Sequence, residues 1–143
     1  MSPSAGGADV QLGERLGLKP GLVVQELGWD EDADEDLRDA IIEVSGGEMV
    51  DEDTDVVADV VILWWREDDG DLFDALTDAI TSLGEDGVVW LLVPKSGRPG
   101  HVEPGDVTEA APTAGLQQTS SISAAKDWSG IRLVTPKAAR SRR

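Results

Sequence analysis

Two stretches constrain this chain more than any others: "VVILWW" at 60–65 and "VVWLLVP" at 88–94. Both are apolar at consecutive positions rather than at alternate ones. A strand with one face in water alternates, whereas a strand covered on both faces does not need to. Neither run approaches the roughly 20 apolar residues that a membrane-spanning helix requires. They are expected to be central strands of a sheet with helices on both sides.

The flanking segments fit that expectation. "DADEDLRDAIIEVSGG" at 32–47 sets Leu37, Ala40, Ile41 and Val44 on one helical stripe. Its acids crowd the first turn, at the positive end of the helix dipole, and two glycines end it. "DDGDLFDALTDAITSLGEDG" at 68–87 repeats the pattern with Leu72, Ala75, Leu76, Ala79, Ile80 and Leu83. "LVVQEL" at 22–27 reads as the first strand, "EMVDE" at 48–52 as a short one, and "DVVADVVILWW" at 55–65 as the next. "GDVTEAAPTAG" at 105–115 reads as a helix broken in its second half by Pro112. Two final strands, "LQQTSSISAA" and "GIRLVTP", are joined through "KDWSG", a connection short enough to make them antiparallel. The expected fold is α/β: a Rossmann-like open sheet, mostly parallel, with helices on both faces and a C-terminal antiparallel hairpin at its edge. Residues 1–9 read as disordered, 10–137 as one domain that opens on an amphipathic turn at 10–21, and 138–143 as a basic disordered tail.

Charge is unevenly spread. Between Glu26 and Asp78 there are 21 acids and only two bases, Arg38 and Arg66. From Ala79 onward there are six acids and eight bases. Such a body repels phosphate backbones, so nucleic acid is an unsuitable partner for it and a basic protein a suitable one. Cysteine is absent, which removes disulfides, thiolate metal sites and cysteine nucleophiles. No secretory signal pattern is visible at the start, so a cytoplasmic location is expected. The acid-rich stretches fail the calcium-loop pattern: starting at Asp30 or Asp51, position six is Glu35 or Val56 where glycine is needed. The lone histidine, His101, lies in a Gly/Pro loop and reads as an exposed residue. Ser120, Ser121 and Ser123 have no patterned base beside them. No catalytic constellation and no metal site emerge.

The order of elements resembles a class I S-adenosylmethionine-dependent methyltransferase reduced to a minimum. "LKPGLVVQELG", "ADVVILWW" and "SLGEDGVVWLLVPK" carry that likeness, together with the terminal hairpin. A closer resemblance is to a small actinobacterial family of unknown function, on "LGLKPG" (16–21), Trp64-Trp65, Pro94-Lys95 and Trp128-Ser129-Gly130. It covers about residues 12–137 and implies a fold, not an activity.

The methyltransferase likeness implies a glycine-rich turn after the first strand, where the backbone passes close to the cofactor. Here Glu26-Leu27-Gly28 is followed by Trp29, Asp30, Glu31 and Asp32, so only the first glycine is kept. Bulky, charged residues are expected to leave no room for a ligand against the main chain, and no cofactor is expected. Asp51 and Asp53 are the acids available for a ribose, with nothing to anchor them. Any cleft belongs at the carboxyl ends of the strands, with Gly28, Trp29, Asp30, Trp65, Arg66 and Lys95 as its candidates. The structural alternative has Trp64 and Trp65 packing under helices on opposite faces, with Arg66 paired to a nearby acid. "KDWSG" offers Lys126, Asp127, Trp128 and, beyond it, Arg132 as partner contacts; alternatively Trp128 fills a gap between hairpin and sheet. The leading expectation is a non-enzymatic interaction or regulatory domain whose cofactor loop is lost. The alternatives are a divergent methyltransferase using Glu26, Gly28 and Lys95, and a nucleic-acid accessory protein using "KAARSRR".

Overall fold

The computed structural model describes residues 16–46, 49–51 and 56–135, with backbone alone at 85 and 86. The expected disordered start, the basic tail and the first half of the opening amphipathic turn lie outside these residues. Five strands form one sheet: β1 (Val24–Leu27), β2 (Ala58–Trp64), β3 (Leu83–Pro94), β4 (Gln117–Ser123) and β5 (Trp128–Val134). Among the described residues three helices flank it: α1 (Glu35–Ser45), α2 (Leu72–Ser82) and α3 (Pro104–Thr113).

The strand order is β1-β2-β3-β5-β4. β1 pairs with β2 and β2 with β3 in parallel, while β5 is antiparallel to both of its neighbours. The expectation of a mostly parallel sheet is therefore corrected: the sheet is mixed. Its cause lies in where the hairpin enters. β5 is buried at Trp128, Gly130, Ile131 and Leu133, whereas β4 is exposed nearly throughout. The apolar strand takes the inner position beside β3, and the serine-rich strand is left at the edge, where unpaired backbone meets water. A reversed strand placed inside the sheet makes two antiparallel ladders. The "EMVDE" strand shrinks to a single bridge, Gln25 to Val50, which removes another parallel ladder.

The consecutive apolar runs have their expected cause. Val61, Leu63, Trp65, Val89 and Leu91 face α2 and α3 in one core cluster. Val60, Ile62, Trp64, Trp90 and Leu92 face α1 in the other. Leu37, Ala40 and Ile41 of α1 are fully buried and Val44 partly so. Asp34 caps α1, accepting from the Leu37 amide at 2.8 Å, and Gly46 closes it in the left-handed conformation. α3 is continuous through Pro112 rather than broken by it. Pro112 sits in the last turn, and Pro104 occupies the first, where a missing N–H costs nothing. Among the described residues no helix is long and apolar enough to cross a membrane.

Candidate functional site

The site is built where β1 and β2 end side by side. Gly28 follows β1 with φ +75°, and a Cβ there would lie 2.3 Å from the Trp64 carbonyl oxygen. Only glycine allows the chain to leave the sheet at this point. The next residues turn back at once, with the Ala33 amide donating to the Asp30 carbonyl, and Asp34 then starts α1.

The two cations of the acidic stretch are both spent here. Arg38 points back from α1 onto Glu26, donating from Nε at 2.7 Å and Nη2 at 2.9 Å. The Trp64 indole N–H donates to the same carboxylate at 2.9 Å. Glu26 is buried, and three donors satisfy it, as a buried charge requires. Hydrogen bonding from Glu26 holds the Arg38 guanidinium above its usual pKa, against the opposing effect of burial.

Arg66, two residues past the end of β2, makes a second clamp. Its Nη1 donates to the Gly28 carbonyl at 2.7 Å and to the Trp64 carbonyl at 3.3 Å. Nε and Nη2 grip the Asp32 carboxylate in fork geometry, and Asp69 accepts from Nη1 at 3.3 Å. Burial works against the charge of Arg66, but the hydrogen bonds with Asp32 and Asp69 outweigh it and raise its pKa. The hydrogen bond from Arg66 holds the Asp32 carboxyl below its ordinary pKa. Trp128 closes the assembly from the hairpin. Its ring lies 5.3 Å from the guanidinium and 4.8 Å edge-on from Trp64, and its N–H donates to the Asp32 carbonyl at 3.3 Å. A loop of the first strand, the end of the second and the start of the fifth are thus tied at one point.

Beside this clamp lies a cleft of about 660 Å³. It brings together Gly28, Trp29, Asp30, Trp65 and Arg66, five of the six residues selected from sequence, and adds Asp78 from α2. Lys95 is not part of it; its ammonium donates to the Ser123 hydroxyl. Space is therefore present where bulky residues were expected to fill it. Trp29 turns outward, 49% exposed, with Arg38 stacked 5.7 Å from its ring. What is missing beside Gly28 is not volume but unengaged hydrogen-bond donors, since Arg38, Trp64 and Arg66 spend theirs within the chain.

Trp64 and Trp65 do pack on opposite faces, in the two different core clusters. In "KDWSG", Trp128 is 4% exposed and serves the interior, Lys126 is exposed, and Asp127 pairs with Arg98 at 3.2 Å. Arg132 donates to Thr119 on the neighbouring strand. His101 is partly buried rather than freely exposed, with Nδ1 donating to the Pro94 carbonyl at 2.9 Å. Asp51 offers its backbone carbonyl to Gln25, and Asp53 lies outside the described residues. Sequence reasoning missed the Glu26–Arg38–Trp64 set and the choice of Asp32 as partner of Arg66.

A family model described as "Protein of unknown function (DUF3052)" matches residues 13–137. The chain belongs to that family. An uncharacterized protein of Mycobacterium tuberculosis, Rv2239c, is 57% identical over 129 residues, covering 90% of this chain and 81% of its own. An uncharacterized protein of Mycobacterium bovis, Mb2263c, matches to the same extent. The resemblance to an actinobacterial family of unknown function is thereby borne out. Among solved structures, a SAM-dependent methyltransferase from Aquifex aeolicus aligns at TM-score 0.61 with 12% identity, over 90% of this chain and 89% of that one. The glycopeptide N-methyltransferase MtfA aligns at 0.58 with 13% identity, over 92% and 90%. At such identities the likeness is one of fold, and this DUF3052 chain has a methyltransferase-like fold.

Proposed function

We propose that this chain is a non-catalytic, methyltransferase-like domain that docks a basic segment of a protein partner in the cleft beside Gly28. One observation carries the reading: the polar groups at the strand ends bond to each other. Glu26 is taken by Arg38 and Trp64, and the Gly28 carbonyl and Asp32 by Arg66. A small cofactor held against the main chain would have to break several charge-assisted hydrogen bonds first. The rest of the cleft suits a cation. Trp29 offers an exposed indole, and Asp30 and Asp78 make no ion pair among the described residues. A lysine or arginine side chain would meet an aromatic face and carboxylates, inside a strongly negative surface. The same surface disfavours nucleic acid, and the lack of cysteine accords with a cytoplasmic location.

The test is capture of a partner from native extract by the full chain, repeated with Trp29→Ala. The reading expects one enriched basic protein, lost with the variant at unchanged thermal stability. If nothing is enriched, or if enrichment ignores Trp29, the reading is withdrawn. The second reading is a divergent methyltransferase, favoured by the solved structures of similar fold and by the volume of the cleft. Titration calorimetry with S-adenosylmethionine and S-adenosylhomocysteine separates the two, since micromolar heat would favour the enzyme.

A further inference from the structure

A second cavity, of about 390 Å³, opens where the ends of β3, β4 and β5 meet the start of α3. Val102 and Ile131 give it an apolar wall, and His101, Ser121, Ser123 and Ser129 give it a polar one. The register explains the serines. Ser121 lies opposite Ile131 and Ser123 opposite Ser129, so these side chains share the face on which α3 packs. α3 buries only Val107 and Ala111, and the edge strand remains uncovered.

The hydroxyls are available. Those of Ser121 and Ser129 make no hydrogen bond among the described residues. Ser123 accepts from the Lys95 ammonium, which leaves its own proton to be donated elsewhere. Lys95 pairs with no carboxylate among the described residues; its ammonium is placed by the Ser123 hydroxyl instead. The neighbouring Asp127 is neutralised by Arg98. His101 is held in place through its Nδ1 hydrogen bond, so one wall is fixed before any ligand arrives.

Several hydroxyl donors beside an ammonium with no carboxylate partner recognise an oxyanion, and an aliphatic wall recognises an apolar body. We infer that this cavity binds a small organic oxyanion, a carboxylate or phosphate monoester carrying an apolar group. Ser121, Ser123 and Ser129 donate to it, and Lys95 balances its charge. This site is separate from the cleft beside Gly28 and does not depend on what docks there.

The experiment is an NMR titration of the full chain with benzoate, phenyl phosphate and, as a neutral control, benzyl alcohol. Saturable shifts of the Ser121, Ser123 and Ser129 amides and of the His101 ring are expected with at least one anion, and which anion acts identifies the oxyanion. Lys95→Gln should weaken binding about fivefold or more, the loss of one partly screened charge. Should that variant fail to fold, Ser121→Ala, on the exposed edge, reads out the same contact. The inference is overturned if neither anion gives saturable shifts up to about 10 mM, the limit of weak specific binding. It is equally overturned if benzyl alcohol binds as well as the anions, or if the variants bind as the native chain does.

Discussion

The two corners of the sheet's carboxyl edge are built from different residue types, carboxylates with arginines and tryptophans at one and serines with a lysine and a histidine at the other, and end in opposite states. At the corner between β1 and β2, the polar groups around Gly28 bond to one another: Glu26 with Arg38 and Trp64, Asp32 with Arg66, the Gly28 carbonyl with Arg66. At the corner between β3, β4 and β5, serine hydroxyls line a cavity beside a lysine that no carboxylate neutralises. The difference teaches that a cavity is not a site by volume alone. The larger cleft has the polar atoms around Gly28 committed to holding three chain segments together and keeps only the Asp30 and Asp78 carboxylates for a cation, whereas the smaller one has donors to offer. Satisfied networks stiffen a fold; unsatisfied donors at a surface recognise ligands.

The contrast predicts a graded set of stabilities. Trp128→Ala should have the largest effect, about 3–5 kcal/mol in chemical denaturation, because it empties buried volume under Trp64 and releases Arg66. Glu26→Ala should follow at about 2–3 kcal/mol, since it takes the main partner from a half-buried guanidinium that keeps only Glu35 and leaves a buried indole N–H without an acceptor. A loss below about 0.5 kcal/mol in either, the range of ordinary surface changes, would break the claim that this corner is structural. Arg66→Met should cost about 1–3 kcal/mol, less because the Asp32 carboxylate is half exposed and screened.

Acid should loosen the first corner. Asp32 has a depressed pKa in the folded chain. Its contribution to stability is therefore complete above the pKa of an unfolded aspartate, about 4, and is lost as pH falls through the lower folded value. Amide exchange at 28–34 should accelerate below that point in the native chain. In Arg66→Met the step should vanish, because the carboxylate then has no guanidinium to lose. Ser121→Ala should be the smallest change, within about 0.5 kcal/mol, as expected of an exposed edge position with no partner. A larger loss would place the second corner in the same structural class as the first.

Much of the architecture was legible in the sequence. The consecutive apolar runs gave strands covered on both faces, and adjacent Trp64 and Trp65 gave a residue to each face through the period of two. The mixed sheet was not legible, because a short connection fixes only that β4 and β5 are antiparallel. Which of them lies inside depends on comparing their apolar content. Five of the six cleft residues followed from a general rule about strand ends. Lys95 did not, since it sits at the end of β3 and leans toward Ser123 on β4, away from β1. The clamp had a signal that went unused. Only two cations occur among 21 acids between Glu26 and Asp78, and a cation held near a core in such surroundings is expected to find a carboxylate. Which carboxylate is a matter of geometry: Glu26 lies 12 positions from Arg38, and Asp32 lies 34 from Arg66.

The most direct test of the locked first corner is an NMR titration of the native chain with S-adenosylhomocysteine, following the amides of Gly28 and Asp32 and the Nε–H of Arg66. A committed clamp predicts no saturable shift of these signals at millimolar ligand, and an Arg66 Nε–H protected from exchange. Saturation at micromolar ligand, with the Arg66 signal displaced, would contradict it and make the cleft beside Gly28 a cofactor seat.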